Sequence, residues 1–217
     1  MDKVVGIGAG GHAKVIIDIL RLRGEYQIAG LVDSNPELAG TQVLDVPVLG
    51  GDDELQKLMR DGTAYAFIGF ASLSDSHLNK RVFDQASSLG FQVINVVHPS
   101  SVVSPSVRMG SGNRVFAGAI INPDATLGNN VVINTGAIVE HDCAIGDHAQ
   151  IAPGARLAGN VTVGEGSIVG IGASVIQGIN IGRYSTVGGG AVVIEDVPDA
   201  TTVVGVPAKQ IKKRSTI

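Results

Sequence analysis

Three adjacent side chains, Glu140-His141-Asp142, carry the clearest acid–base chemistry in the chain. A neutral imidazole accepts a proton near neutral pH, and a carboxylate beside it orients the ring and stabilises its cation. A second feature lies far upstream. Gly6-Ile7-Gly8-Ala9-Gly10-Gly11 holds the spacing G-x-G-x-x-G and runs into His12. Glycines so spaced admit a phosphate to the backbone, and a helix N-terminus behind them supplies free N–H groups and the positive end of a dipole. His12 at that helix start is within reach of a phosphate. Asp33 follows the glycine loop at the interval where an acidic residue accepts a hydrogen bond from a ribose hydroxyl or a base. Plainer readings fit the same residues: a solvated turn histidine at 141, a surface histidine at 12, and a tight strand–helix turn with no ligand.

The elements that position these residues differ in the two parts of the chain. Residues 1–95 alternate short apolar strands (Lys3–Ile7, Gln27–Val32, Ala64–Phe70, Phe91–Val97) with helical stretches. The helical stretches are His12–Arg23, with Val15, Ile16, Ile19 and Leu20 as its apolar residues, then Asp52–Arg60 and Asp75–Leu89. That order implies an α/β domain with a small Rossmann-like parallel sheet. A dinucleotide needs two mononucleotide-binding halves; this stretch offers about one, so a single nucleotide is expected rather than NAD. From Val97 to Val193 every sixth residue is aliphatic, preceded two positions earlier by a mostly small one. Gly110, Gly128, Gly146, Gly164 and Gly182 recur at every third hexapeptide. Three hexapeptides thus make one turn of a parallel β-helix, with residues 96–217 as the second domain. Those glycines are expected to supply backbone freedom at the turns.

The repeat also serves as a coordinate system. His141 follows the interior Val139 by two and projects from a coil corner. One coil earlier the corner holds Pro123; one coil later it holds Gly159, which leaves room beside the ring and offers an N–H for an oxyanion. Asn134 occupies the preceding corner. Cys143 takes a small inward position and reads as packing. His98, His141 and His148 fall at three different phases of the coil, so no metal site is expected; His77 reads as a helix-surface residue.

Composition sets outer limits. The chain has 217 residues, 44 % hydrophobic, with a net charge of −4 and one cysteine. There is no long basic run to meet nucleic acid, no disulfide framework and no apolar run long enough to span a bilayer. Met1 leads almost directly into an apolar strand rather than a basic and hydrophobic leader, so a cytoplasmic protein is expected. The tail residues Lys209, Lys212, Lys213 and Arg214 form either a solvated end or a contact for a phosphorylated cofactor.

Gly8-Ala9-Gly10-Gly11-His12, Glu140-His141-Asp142-Cys143 and Gly188-Gly189-Gly190, in that order, resemble the NeuD/PglD-like sugar acetyltransferase family. Gly205-Val206-Pro207-Ala208-Lys209 is similar to the terminal segment of the wider hexapeptide-repeat acyltransferases. The resemblance implies a left-handed β-helix, a homotrimer with active sites between subunits, and acetyl-CoA as co-substrate. Within the family the likeness is to N-acetyltransferases of nucleotide-linked 4-amino-4,6-dideoxy sugars, with GDP-perosamine the favoured acceptor and surface-polysaccharide synthesis the expected setting. It implies that His141 is the general base and that Asp142, where a UDP-sugar relative has glutamate, orients it. Asn134, Gly8, Gly10, Gly11, His12 and Asp33 then bind the sugar nucleotide, while Gly159, Ile171 and Gly189 meet coenzyme A. A UDP-sugar N-acetyltransferase, a sialic-acid-type O-acetyltransferase and a non-enzymatic trimeric nucleotide-binding module are the alternatives.

Overall fold

A computed structural model describes residues 1–72 and 75–213. Arg214 of the basic tail lies outside the described residues. The chain divides into two compact units, Met1–Pro99 and Ser100–Ile217.

In the first unit the elements run β1 (Asp2–Ile7), α1 (Gly11–Arg23), β2 (Tyr26–Val32), β3 (Gln42–Val43), β4 (Val46–Gly50), α2 (Asp53–Arg60), β5 (Tyr65–Ile68), α3 (Ser76–Ser88) and β6 (Gln92–Val93). The sheet order is β3-β4-β2-β1-β5-β6. Its pairs are parallel except β3 with β4, a hairpin turned by Leu44 and Asp45, both at positive φ. β1 and β5 are apolar without alternation because both faces are covered; Val4, Val5, Ala66, Phe67 and Ile68 are buried. α1 buries Ala13, Ile16, Ile17, Ile19 and Leu20. Val15, expected on that face, is turned to solvent, and Ile17 takes the inner place. The i, i+3, i+4, i+7 set starting at Ala13 runs through Ile16, Ile17 and Leu20, so the helical phase leaves Val15 outside. The apolar stretch expected as a single strand at 91–97 is instead two short strands, Gln92–Val93 and Val96–Val97.

The second unit is a left-handed parallel β-helix. Each hexapeptide from Val102–Val103 to Val192–Val193 contributes one short strand, whose second residue is the aliphatic one. Strands pair in parallel with their counterparts one coil away: Val115 with Ile133, Ile121 with Val139, Leu127 with Ile145. Val115, Ile133, Ile151, Val169 and Val187 make one buried interior column, and the small residues Ala119, Ala137, Ala155, Ala173 and Ala191 another. Fully burying a Val, Leu or Ile side chain contributes about 1.5–3 kcal/mol, so the stacked columns hold the coils together.

The glycines that recur once per coil serve a different end from the one expected. None of Gly110, Gly128, Gly146, Gly164 or Gly182 has a positive φ. They are small because the next coil lies against them: a Cβ on Gly164 would stand 2.6 Å from the Arg183 nitrogen and 2.7 Å from the Gly182 carbonyl carbon. Backbone freedom is needed elsewhere. A left-handed residue recurs once per hexapeptide from Gly112 to Gly190, filled by glycine, by Asp124, Asn130, Asp142 and Asn160, and by His148 and Tyr184. Asn and Asp tolerate this region better than other non-glycine residues. Gly164→Ala is therefore expected to destabilise the fold by about 1–3 kcal/mol through backbone overlap. Gly136→Asn, at φ 65 with open space around the Cβ, is expected to leave stability nearly unchanged. Urea midpoints of the two variants check this pair.

Candidate active site

His141 and Asp142 stand at a corner whose backbone is held from both sides. The Asp142 N–H donates to the Pro123 carbonyl of the preceding coil at 3.1 Å. The Asn160 N–H of the following coil donates to the His141 carbonyl at 2.9 Å. Asp142 occupies the left-handed position of its hexapeptide, φ 61. Its carboxylate Oδ2 accepts a hydrogen bond from His141 Nδ1 at 2.7 Å. With the proton on Nδ1, Nε2 carries the lone pair and is the basic atom. The ring lies against Gly159: a Cβ there would stand 2.6 Å from Cε1 and 2.7 Å from Nε2. Among the described residues nothing accepts a hydrogen bond from the Gly159 N–H.

The Asp142 hydrogen bond raises the His141 pKa above the ordinary imidazole value; slight desolvation opposes it, and the charges of Asp142 and Glu140 add to it. Glu140 is itself held, its Oε2 accepting from Asn122 Nδ2 at 2.8 Å one coil below. Sequence reasoning misses the pairing of Asn122 and Glu140, although their separation by one full coil is the signal that brings them together.

Asn134, Ile171 and Gly189 share the neighbouring corner. Asn134 Oδ1 accepts from the Thr135 N–H at 2.8 Å. Ile171 is 65 % exposed, large for an isoleucine, and a Cβ on Gly189 would stand 3.0 Å from its Cγ2. The bare glycine and the exposed isoleucine thus form an apolar step. The candidate residues on the coils fall into two groups on successive corners: Asn134, Ile171 and Gly189 on one, His141, Asp142 and Gly159 on the other.

The remaining candidates on the coils are structural. Cys143 is buried, its Sγ 3.3 Å from the Ala158 carbonyl, and burial pushes its thiol pKa up. His148 is buried at a left-handed position with Nδ1 3.0 Å from Asn130 Nδ2. Among the described residues no three His, Cys, Asp or Glu side chains gather as a metal site. Nor is any helix there long and apolar enough to cross a membrane. In the basic tail, Lys209 pairs with Glu195 at 3.7 Å.

In the first unit, Gly8 takes φ 103, and a Cβ there would press on Phe70 and on the Gly69 carbonyl carbon at 3.2 Å. This glycine closes the turn out of β1. Gly10 and Gly11 have nothing within 4 Å of a Cβ, so their bare backbone faces open space. α1 starts there with no side-chain cap and no acidic residue in its first turn, leaving N–H groups for an anion. His12 is half-buried at the same end. The strand order reverses between β1 and β5, where open α/β sheets bind ligands. A cavity of about 340 Å³ opens there, lined by Ile7, Val32, Asp33, Asp52, Phe70 and Gln85 among others. Asp33 is committed to the backbone: Oδ2 accepts from the Ala9 N–H at 2.7 Å and Oδ1 from the Asn35 N–H at 2.9 Å. It braces the glycine loop at the cavity edge.

Residues 3–94 match the PglD N-terminal domain, and residues 124–159 match the bacterial transferase hexapeptide (six repeats). No curated protein matches the chain. Among solved structures it is similar to PerB from Caulobacter crescentus, in complex with CoA and GDP-perosamine. The identity is 44 %, with 98 % of each chain covered and a TM-score of 0.91. Two further structures of that perosamine N-acetyltransferase, also with CoA and GDP-perosamine, carry the H141A and H141N substitutions. The acetyltransferase domain of PglB from Neisseria gonorrhoeae is 34 % identical, covering 97 % of this chain and 100 % of that one, with a TM-score of 0.88. WeeI from Acinetobacter baumannii is 26 % identical over 96 % of this chain and 100 % of that one, with a TM-score of 0.84. With a PglD-type N-terminal domain, a hexapeptide-repeat β-helix and full-length likeness to these enzymes, the chain belongs to the PglD-like family of hexapeptide-repeat sugar acetyltransferases.

Proposed function

We propose that the protein transfers the acetyl group of acetyl-CoA to the 4-amino group of a nucleotide-linked 4-amino-4,6-dideoxy sugar, with GDP-perosamine the favoured acceptor. The observation that carries this reading is the His141–Asp142 pair packed on Gly159, on a chain 44 % identical to a GDP-perosamine N-acetyltransferase. Residues 1–95 serve the sugar nucleotide and residues 96–217 the acyl transfer.

His141 Nε2 takes a proton from the acceptor amine as its nitrogen attacks the thioester carbonyl. The new C–N bond forms, and the carbonyl oxygen becomes an oxyanion that the free Gly159 N–H is suited to receive. As the intermediate collapses the C–S bond breaks, and the imidazolium returns the proton to the departing sulfur. The products are the N-acetyl sugar nucleotide and coenzyme A. Asp142 holds Nδ1 and stabilises the cation formed midway. This sequence calls on no metal. Gly10, Gly11 and the α1 N-terminus receive the phosphates, with His12 beside them and Asp33 shaping the loop.

The division of site residues between successive corners supports a trimer with its active sites between subunits. In such an assembly the corner bearing Asn134, Ile171 and Gly189 faces the His141 corner of a neighbouring copy. The buried cysteine and the acetyl donor support a cytoplasmic setting.

His141→Asn is expected to lower turnover by about 10²–10⁴-fold with acetyl-CoA and the aminosugar nucleotide, as for loss of a general base. Turnover close to the unsubstituted rate would remove His141 from the chemistry. Hydroxyl sugars assayed alongside separate amine from oxygen acceptors. The base works in its neutral form, whose fraction grows as pH rises through the raised His141 pKa, so kcat/KM should climb with pH through that value. Asp142→Asn removes the carboxylate charge that strengthens this hydrogen bond and raises the pKa; the midpoint should then shift to lower pH while the maximal rate falls. An NMR titration of His141 measures the same shift without turnover. For the shared site, mixtures of His141→Asn and Ile171→Asp subunits should regain activity that neither variant shows alone.

A further inference from the structure

Two carboxylates, Asp33 and Asp52, line the cavity at the carboxyl ends of β1 and β2, and their states differ. Asp33 has both oxygens engaged by backbone N–H groups. Asp52 stands at the N-cap of α2, where aspartate usually accepts from the helix backbone, yet its side chain makes no such bond. Its Oδ2 meets the exposed Gln85 Nε2 at 3.4 Å, leaving acceptor capacity at the cavity rim. Much of the remaining lining is apolar: Ile7 and Val32 are buried, with Phe70, Leu78 and Val82 beside them, and Arg81 adds a cation.

We infer that this cavity holds the nucleobase of the acceptor and that Asp52 makes it selective for guanine; the inference rests on the nucleotide-sugar reading above. An ionised carboxylate is an acceptor with two oxygens. Guanine presents two donors side by side, its N1–H and its exocyclic N2 amino group, which match a carboxylate edge to edge. Uracil offers one N–H between two carbonyl oxygens, and a carboxylate repels those oxygens. Adenine has no donor at N1. Hypoxanthine keeps the N1–H and lacks the amino group, so it isolates the second contact. Asp52 lies just beyond β4, the strand next to β2, on the side of the sheet away from β1. From there it meets the far edge of a base whose phosphates lie on the Gly10–Gly11 loop.

GDP, IDP and UDP binding to the full-length protein, measured by calorimetry, tests this. GDP is expected to bind about tenfold or more tightly than IDP, the value of one hydrogen bond to a charged group, and more tightly still than UDP. In Asp52→Asn the gap between GDP and IDP should close, while the thermal unfolding midpoint and circular dichroism spectrum stay unchanged and report an intact fold. Asp52→Ser, which keeps a good N-cap residue, gives the same comparison should the Asn variant fail to fold. Equal affinity for GDP and IDP, UDP binding as tight as GDP, or a gap that survives both substitutions would each overturn the role of Asp52 and leave the nucleotide-sugar reading standing. Absence of binding by all three nucleotides would overturn that reading and this one together.

Discussion

The coil-to-coil hydrogen-bond ladder is the constraint on which the β-helix rests. Each strand bonds to its counterpart on the adjacent coil, as Val132 N to the Ala149 carbonyl and Ala144 N to the Val161 carbonyl. Coils so paired lie about 4.8 Å apart, and every side chain stacks on its equivalents in the coils before and after it. A column can then hold a large residue only where its neighbours allow it. The tight column of Gly128, Gly146 and Gly164 admits no Cβ at all. The His141 ring fits because the residue above it is Gly159.

The same stacking produces the electrostatics of the site. Asp142 takes a backbone conformation that aspartate tolerates, and at that position its carboxylate reaches the adjacent Nδ1. Asn122 meets Glu140 through the one-coil spacing. The ring nitrogen that remains is basic, on a side chain exposed to solvent, as the proposed proton acceptor must be. A deeper pocket would have lowered the imidazole pKa by desolvation; at the corner the hydrogen bond from His141 to Asp142 dominates and raises it.

The first unit follows another logic. Its glycine loop leaves bare backbone at the end of β1, and its two cavity carboxylates differ in what they bond. Asp33 is legible in the sequence as a carboxylate at the right interval from the glycine loop, but spacing cannot show that its oxygens are already spent on Ala9 and Asn35. Asp52 stands at the N-cap of α2, where aspartate most often bonds the helix backbone, yet its side chain caps nothing. In both cases hydrogen-bond occupancy separates a brace from an available acceptor, and occupancy is a property of the folded neighbourhood.

By itself the sequence determined the β-helix, the phase of every hexapeptide, the inward course of Cys143 and the stacking of Gly159 on His141. A strict period acts locally and repeats without error, so position along the chain translates directly into position on a coil. It also carried the α/β character of the first unit, since strands covered on both faces read as unbroken apolar runs. Tertiary structure decided why the once-per-coil glycines are glycines, which face of α1 is buried, where the apolar stretch at 91–97 breaks, and which carboxylate keeps a free oxygen. Those outcomes depend on what another segment brings within about 3 Å, a distance scale for hydrogen bonds and steric overlap alike. No period in the chain encodes them.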